Sequence, residues 1–171
     1  SKYIAASLGS SAFLKNVENG GKTIQSLIKL SDPNDCIQNI KFSSNGRAVF
    51  ICCLEKSTGL CIKVWRPYLD DDDEDRLVIL WSKPYDSYPM YGRQMYTYTF
   101  SNDATMVIIR NIKMNTGMLW SIDMDHNCLT HKSDLGKTYD YYFTPDNKYI
   151  ICFTMFDGPK IWSIAEGKFT D

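Results

Sequence analysis

The stretch TYDYYFTPDNKYIICFTMFDGPKIWSI, residues Thr138 to Ile164, decides how this chain is read. Two runs rich in aromatic and aliphatic residues, Tyr139–Phe143 and Tyr149–Phe153, flank Thr-Pro-Asp-Asn, whose residue types favour a tight turn. A second turn, Phe156-Asp157-Gly158-Pro159, leads into Lys160-Ile161-Trp162-Ser163-Ile164. Strand, tight turn, strand, tight turn, strand is an antiparallel meander.

Upstream the same unit recurs three times, the first time incomplete. Met95–Phe100 alternates strictly, with Tyr96, Tyr98 and Phe100 on one face and Thr97 and Thr99 on the other. Ser101-Asn102-Asp103-Ala104 turns it into Thr105–Ile109. Met118–Ile122 and Asn127–Lys132 supply the next two strands. Earlier still, Cys36–Phe42, Ala48–Leu54, Leu60–Trp65 and Leu77–Trp81 repeat the pattern. The first thirty residues hold Lys2–Ser7, Ala12–Val17 and Thr23–Leu30, as if an opening strand were missing. No stretch keeps a 3.6-residue apolar period over three turns, so the expected class is all-β with about fourteen strands.

Phe42, Phe100 and Phe143 each close a first strand before a Ser- or Thr-led turn, and Trp65, Trp120 and Trp162 each sit in a third strand. Four-stranded units repeating at roughly 40–45 residues are the period of propeller blades. A small meander cannot cover its own faces, so blades stack and bury one another. The expected blades are 1–30, incomplete; 31–83; 84–133; and 134–171, incomplete. All are expected to belong to one partial propeller domain of about three and a half blades, half of a larger propeller or completed by another chain, with an open array with capped ends as the alternative.

On those residues the chain resembles the WD-repeat β-propellers. The resemblance spans nearly the whole chain and rests on the Phe-Ser/Thr-x-Asp/Asn turn, the apolar second strand, and Val64-Trp65, Leu119-Trp120 and Ile161-Trp162. Arg66, Ser121 and Ser163 follow the tryptophans where the family carries Asp, and its Gly-His dipeptide is absent. Of the polar network the family builds inside each blade, the resemblance leaves Asp157 and Trp162 as a remnant. It implies a non-enzymatic scaffold that displays loops on one face. The rival readings are a propeller attached to a serine hydrolase of the prolyl-oligopeptidase kind and an RNA- or ribosome-associated propeller of a translation factor.

Composition bounds the function. The 171 residues are 44% hydrophobic and 13% aromatic, enough for a packed core. A net charge of −1 offers no global field for nucleic acid or an acidic membrane. No apolar run approaches the ~18 residues that span a bilayer, and no signal-peptide pattern opens the chain. Cys36, Cys52, Cys53, Cys61, Cys128 and Cys152 include no C-x-x-C pair. The expectation is buried free thiols in a reducing compartment, cytoplasmic or nuclear, with disulfides or a metal as the alternatives.

Four features are weighed as sites. The loop from Pro84 to Arg93 carries Tyr85, Tyr88, Met90, Tyr91 and Arg93, residue types enriched where proteins meet. The alternative is that its tyrosines pack on their own blade. By the resemblance, this loop shares a face with Glu55–Thr58, Asn111–Thr116 and Met155–Gly158. The acidic run Asp70, Asp71, Asp72, Asp73, Glu74 and Asp75 reads as a solvated loop on the opposite face, with a basic partner as the rival reading. Consecutive aspartates lack the ligand spacing of a Ca²⁺ loop. Cys52, Cys61, Cys128 or Cys152 could pair with His126 or His131 as a nucleophile and base, but no motif places them together. Lys113, Lys132, Lys137, Lys148 and Lys160 are scattered, which suits a soluble surface better than RNA binding. No zinc-ligand spacing or phosphate-cradling loop is present, so no cofactor is expected. The expected partners are proteins, including remaining blades of the same chain or another subunit.

Overall fold

The computed structural model describes residues 3–8, 11–16, 23–29, 35–42, 49–55, 59–65, 77–83, 96–123, 125–126, 128–154 and 157–170. These residues form fifteen strands in four antiparallel sheets, each built from consecutive strands. The first sheet has three: β1 (Tyr3–Leu8), β2 (Ser11–Asn16) and β3 (Thr23–Lys29). The second comprises β4 (Cys36–Phe42), β5 (Val49–Glu55), β6 (Gly59–Trp65) and β7 (Leu77–Lys83). The third is β8 (Tyr96–Phe100), β9 (Met106–Asn111), β10 (Thr116–Asp123) and β11 (Cys128–Lys137). The fourth is β12 (Asp140–Phe143), β13 (Tyr149–Phe153), β14 (Pro159–Ser163) and β15 (Lys168–Phe169). The all-β, four-stranded meander expected from the repeat is the architecture found.

Two details differ from the sequence expectation. The last sheet is complete, because Lys168 and Phe169 pair with Ser163 and Trp162. A two-residue strand is too short to show an alternation. β11 continues to Lys137, past the expected end at Lys132. Its residues are mostly polar and exposed, so the strand is held by its ladder to β10 rather than announced by hydrophobicity.

The chain divides into two compact units, Ser1–Tyr88 and Pro89–Asp171. In the first, Ala12 of β2 packs with Val49, Ile51 and Cys53 of β5 and Cys61 of β6, flanked by Ala5, Ile37, Ile40 and Phe42. In the second, Ile108, Leu119 and Leu135 meet Tyr141, Ile150, Cys152 and Trp162 across two sheets. Burial pushes the Cys152 thiol up to about 12, so it is an inert core group. The alternation is visible in the fourth sheet. Ile150 and Trp162 are register partners on the buried face, while Ile151 and Ile161 are partners on the other, where Ile161, Tyr142 and Phe153 are exposed.

The neighbours Leu119 and Trp120 face opposite ways. Leu119 points into the cluster, and Trp120 lies half-buried on the opposite face, edge-on to His131 at 5.1 Å. Period-two geometry allows only one of two adjacent residues to face the neighbouring sheet.

Gly117 has a specific packing reason. A Cβ there would lie 2.4 Å from Cζ of Tyr141, whose hydroxyl donates to the Gly136 carbonyl at 2.9 Å. The bare glycine backbone is the floor on which the buried ring rests.

The turns after Phe100 and Phe143 are built alike. Ser101 Oγ bonds Asp103 Oδ1 at 2.7 Å, and Thr144 Oγ1 bonds Asp146 Oδ1 at 2.6 Å. Each hydroxyl also accepts a backbone N–H five residues on, from Met106 and Tyr149. Ala104 and Asn147 take positive φ at the same position in each turn. The turns also touch: the Asn102 N–H donates to Asn147 Oδ1 at 2.9 Å, and Asn102 Nδ2 donates to the Pro145 carbonyl at 3.1 Å. The recurring Ser/Thr-x-Asp sequence is therefore a hydrogen-bonded module that also latches two sheets together. The matching turn after Phe42 lies outside the described residues.

Candidate functional site

Tyr85, Tyr88, Met90, Tyr91 and Arg93, together with the acidic run Asp70 to Asp75, lie outside the described residues. Described residues of two other loops, expected to share a face with the Tyr85 to Arg93 loop, come together. Met114 and Asn115 from the β9–β10 turn, and Thr154 and Asp157 from the β13–β14 turn, line one cleft of about 480 Å³. The β11–β12 junction adds Lys137, Thr138 and Tyr139, and Lys160 and Phe169 close the wall.

Local rules hold these side chains in place. Asn111 Oδ1 accepts the Met114 N–H at 3.0 Å, which caps the turn and leaves Met114 65% exposed. Asn115 adopts positive φ, a conformation Asn tolerates, and its side chain accepts from Arg110 at 2.9 Å. Its carbonyl accepts the Thr138 N–H at 2.8 Å, tying one wall of the cleft to the other. Thr154 Oγ1 accepts the Asp157 N–H at 3.1 Å and donates to the Gly158 carbonyl at 2.8 Å.

Apolar and polar side chains line the cleft together. Met114, Tyr139 and Phe169 are exposed. Lys137, Lys160, Asp157, Thr138, Thr154 and Asn115 supply charge and hydrogen-bonding groups. Asp157 Oδ2 pairs with Lys160 Nζ at 2.9 Å. This pairing corrects the expectation of a WD-type remnant, because Asp157 is turned to a solvent-side lysine. Trp162 Nε1 is buried without a hydrogen-bond partner. Asp157 lies in the exposed turn, three residues from Lys160, which is why the local ion pair wins.

Both histidines bond to aspartates. His126 Nδ1 lies 2.8 Å from Asp123 Oδ2, and that hydrogen bond, with the Asp123 charge, raises the His126 pKa. His131 Nε2 lies 3.2 Å from Asp134 Oδ1. Cys52, Cys61 and Cys152, considered above as nucleophiles, are buried. Cys128 is half-buried on β11, opposite Asp123, and neither histidine is seen bonded to it.

A second cluster lies in the first unit, on the face of β5 and β6 that also carries its core. Cys53, Glu55 and Cys61 are all buried, and their ligating atoms lie within 4.8 Å of one another. Lys63 forms an ion pair with Glu55. A hydrogen bond with Cys61 and burial push the Cys53 thiol well up. Burial would lower the Lys63 amine, but Glu55 and the neighbouring thiols hold it above its usual value. Sequence reading missed both Glu55 and Lys63 here. The available signal was the alternation Cys53, Glu55 on one strand and Cys61, Lys63 on the next.

No protein-family model and no curated protein sequence matches this chain. Solved structures do. A protein of Bacteroides uniformis carrying the provisional name 6-phosphogluconolactonase matches with TM-score 0.63 and 14% identity, over 99% of this chain and 50% of that one. One of Bacteroides fragilis with the same provisional name gives 0.60 and 17%, over 99% and 50%. A functionally unknown protein of Desulfotomaculum acetoxidans gives 0.57 and 13%, over 99% and 53%. At these identities the likeness is one of fold. The chain is built like half of a β-propeller chain, and it spans about half the length of the solved structures it matches.

Proposed function

We propose that this chain is a non-enzymatic, WD-repeat-like interaction module in a cytoplasmic or nuclear protein, and that the Met114–Tyr139–Phe169 cleft is part of its docking face. The observation that carries this reading is the convergence of the β9–β10 and β13–β14 turns on one cleft whose lining includes exposed apolar side chains. Rigid sheets present the loops, so little ordering cost falls on binding. Its exposed Met114, Tyr139 and Phe169 are residue types enriched at protein contacts. The Tyr85, Tyr88, Met90, Tyr91 and Arg93 loop belongs to the same proposal as a second contact region, and the remaining blades as a further partner.

Capture of partners from cell extract with the wild-type chain and with a Met114→Ala/Tyr139→Ala variant tests this. The expected result is a discrete protein retained by the former and lost by the latter, with the circular dichroism spectrum unchanged. Identical captures would remove the cleft from the docking face. A parallel assay with the lactone that gives the Bacteroides proteins their provisional name should show no hydrolysis above buffer. Catalysed hydrolysis would overturn the non-enzymatic part.

A further inference from the structure

We infer that Cys53, Glu55 and Cys61 form a binding site for a zinc-class divalent cation inside the first unit. The three residues offer two sulfurs and one carboxylate oxygen within 4.8 Å of one another. A tetrahedral zinc centre has Zn–S near 2.3 Å and Zn–O near 2.0–2.2 Å, so its ligand atoms stand roughly 3.5–3.8 Å apart. Cys53 Sγ lies 3.8 Å from Glu55 Oε1, already on that scale.

The backbone supplies the preorganisation. Cys53 and Cys61 are directly opposed in the β5–β6 ladder, and Glu55 follows Cys53 by two residues on the same face. A rigid ladder thus sets the spacing that a loop motif would otherwise encode. All three residues are buried, and their face packs with Ala12 of the neighbouring sheet, which keeps water away from the centre.

Charge balances once the site is filled. Two thiolates and a carboxylate around a divalent cation leave one net negative charge. The Lys63 ammonium, ion-paired to Glu55, offsets it. Soft sulfur donors select zinc over magnesium or calcium, which require oxygen shells. Three protein ligands leave the fourth position to a small donor. Binding releases the two thiol protons as the Zn–S bonds form, and no electron moves.

Cobalt(II) is the probe, titrated into the full, reduced, metal-stripped chain. The expected result is one equivalent bound, with a thiolate-to-cobalt charge-transfer band and the visible bands of tetrahedral cobalt, displaced by zinc. Cys53→Ala and Cys61→Ala should abolish the charge-transfer band. Cys52→Ala, on the opposite face of β5, should keep it. Glu55→Gln should weaken binding by at least about tenfold, since even groups behind the ligands cost 10–100-fold. Should the cysteine variants fail to fold, zinc-edge X-ray absorption of the loaded wild-type chain decides. Two sulfur neighbours at about 2.3 Å with lighter ligands are expected. Absence of the cobalt band, its survival in both cysteine variants, or a shell without two sulfurs would overturn the assignment.

Discussion

Single residues in this chain do work that composition hides. Gly117 is the clearest. Its missing side chain is the space in which Tyr141 lies, so Gly117→Ala is expected to destabilise the chain by about 1–3 kcal/mol, the range for overpacking a filled core. Urea unfolding checks this, and an unshifted midpoint would mean the ring moves aside freely. The turn aspartates give a pH signature. Burial would raise the Asp103 carboxyl, but its bonds from Ser101 and Thr105 hold it below its ordinary value of 3.8. Thr144 and the Lys148 N–H lower Asp146 likewise. A folded-state pKa below the unfolded one means the contribution is fully present above the unfolded pKa, near 4, and is lost as pH falls through the lowered folded value. An Asp103→Asn/Asp146→Asn variant should therefore lose stability at neutral pH and show a flatter decline below pH about 4. A decline parallel to wild type would show that other carboxylates govern the acid limb.

At the scale of the element, the two faces of the fourth sheet make opposite predictions. Ile150 is fully buried against Trp162, so Ile150→Ala should cost about 2–5 kcal/mol. Ile161, next in the ladder but 46% exposed, should accept Thr with a change within about 0.5 kcal/mol. Equal losses at both sites would mean that the outer face is covered in solution. Between elements, the Asn102 bonds to Asn147 and Pro145 join two neighbouring turns. Asn102→Ala should lower stability by about 0.5–1.5 kcal/mol, read by the same denaturant titration.

For the whole molecule, the division at Tyr88 and Pro89 is a statement about cores. The cluster from Ile108 to Trp162 draws all its members from the second unit. Residues 89–171 expressed alone are expected to give one cooperative thermal transition with a β-sheet spectrum, as repeat arrays fold through nearest-neighbour contacts. A non-cooperative melt would show that this core needs the first unit. The half-length match to solved structures fits a chain built like half of a β-propeller chain.

The sequence by itself determined the meander. Turn residues at Thr144 to Asn147 and at Asp157-Gly158, with apolar runs around them, favour a meander, and the recurrence of the Phe-led turn and the third-strand Trp points to propeller blades. Local chemistry is legible because it acts between residues near in the chain. The resemblance to WD-repeat propellers implied that the Asn111–Thr116 and Met155–Gly158 loops share a face. The sequence did not show β15, too short to alternate, or the polar second half of β11, held by pairing alone. Nor did it show which of Leu119 and Trp120 points inward, because that depends on which neighbouring face each can fill. Only the tertiary structure brought Lys137, Tyr139 and Phe169 to the cleft and set Cys53, Glu55 and Cys61 side by side. Those groupings come from strand register and sheet stacking, which join residues distant in sequence and leave no spacing motif to read.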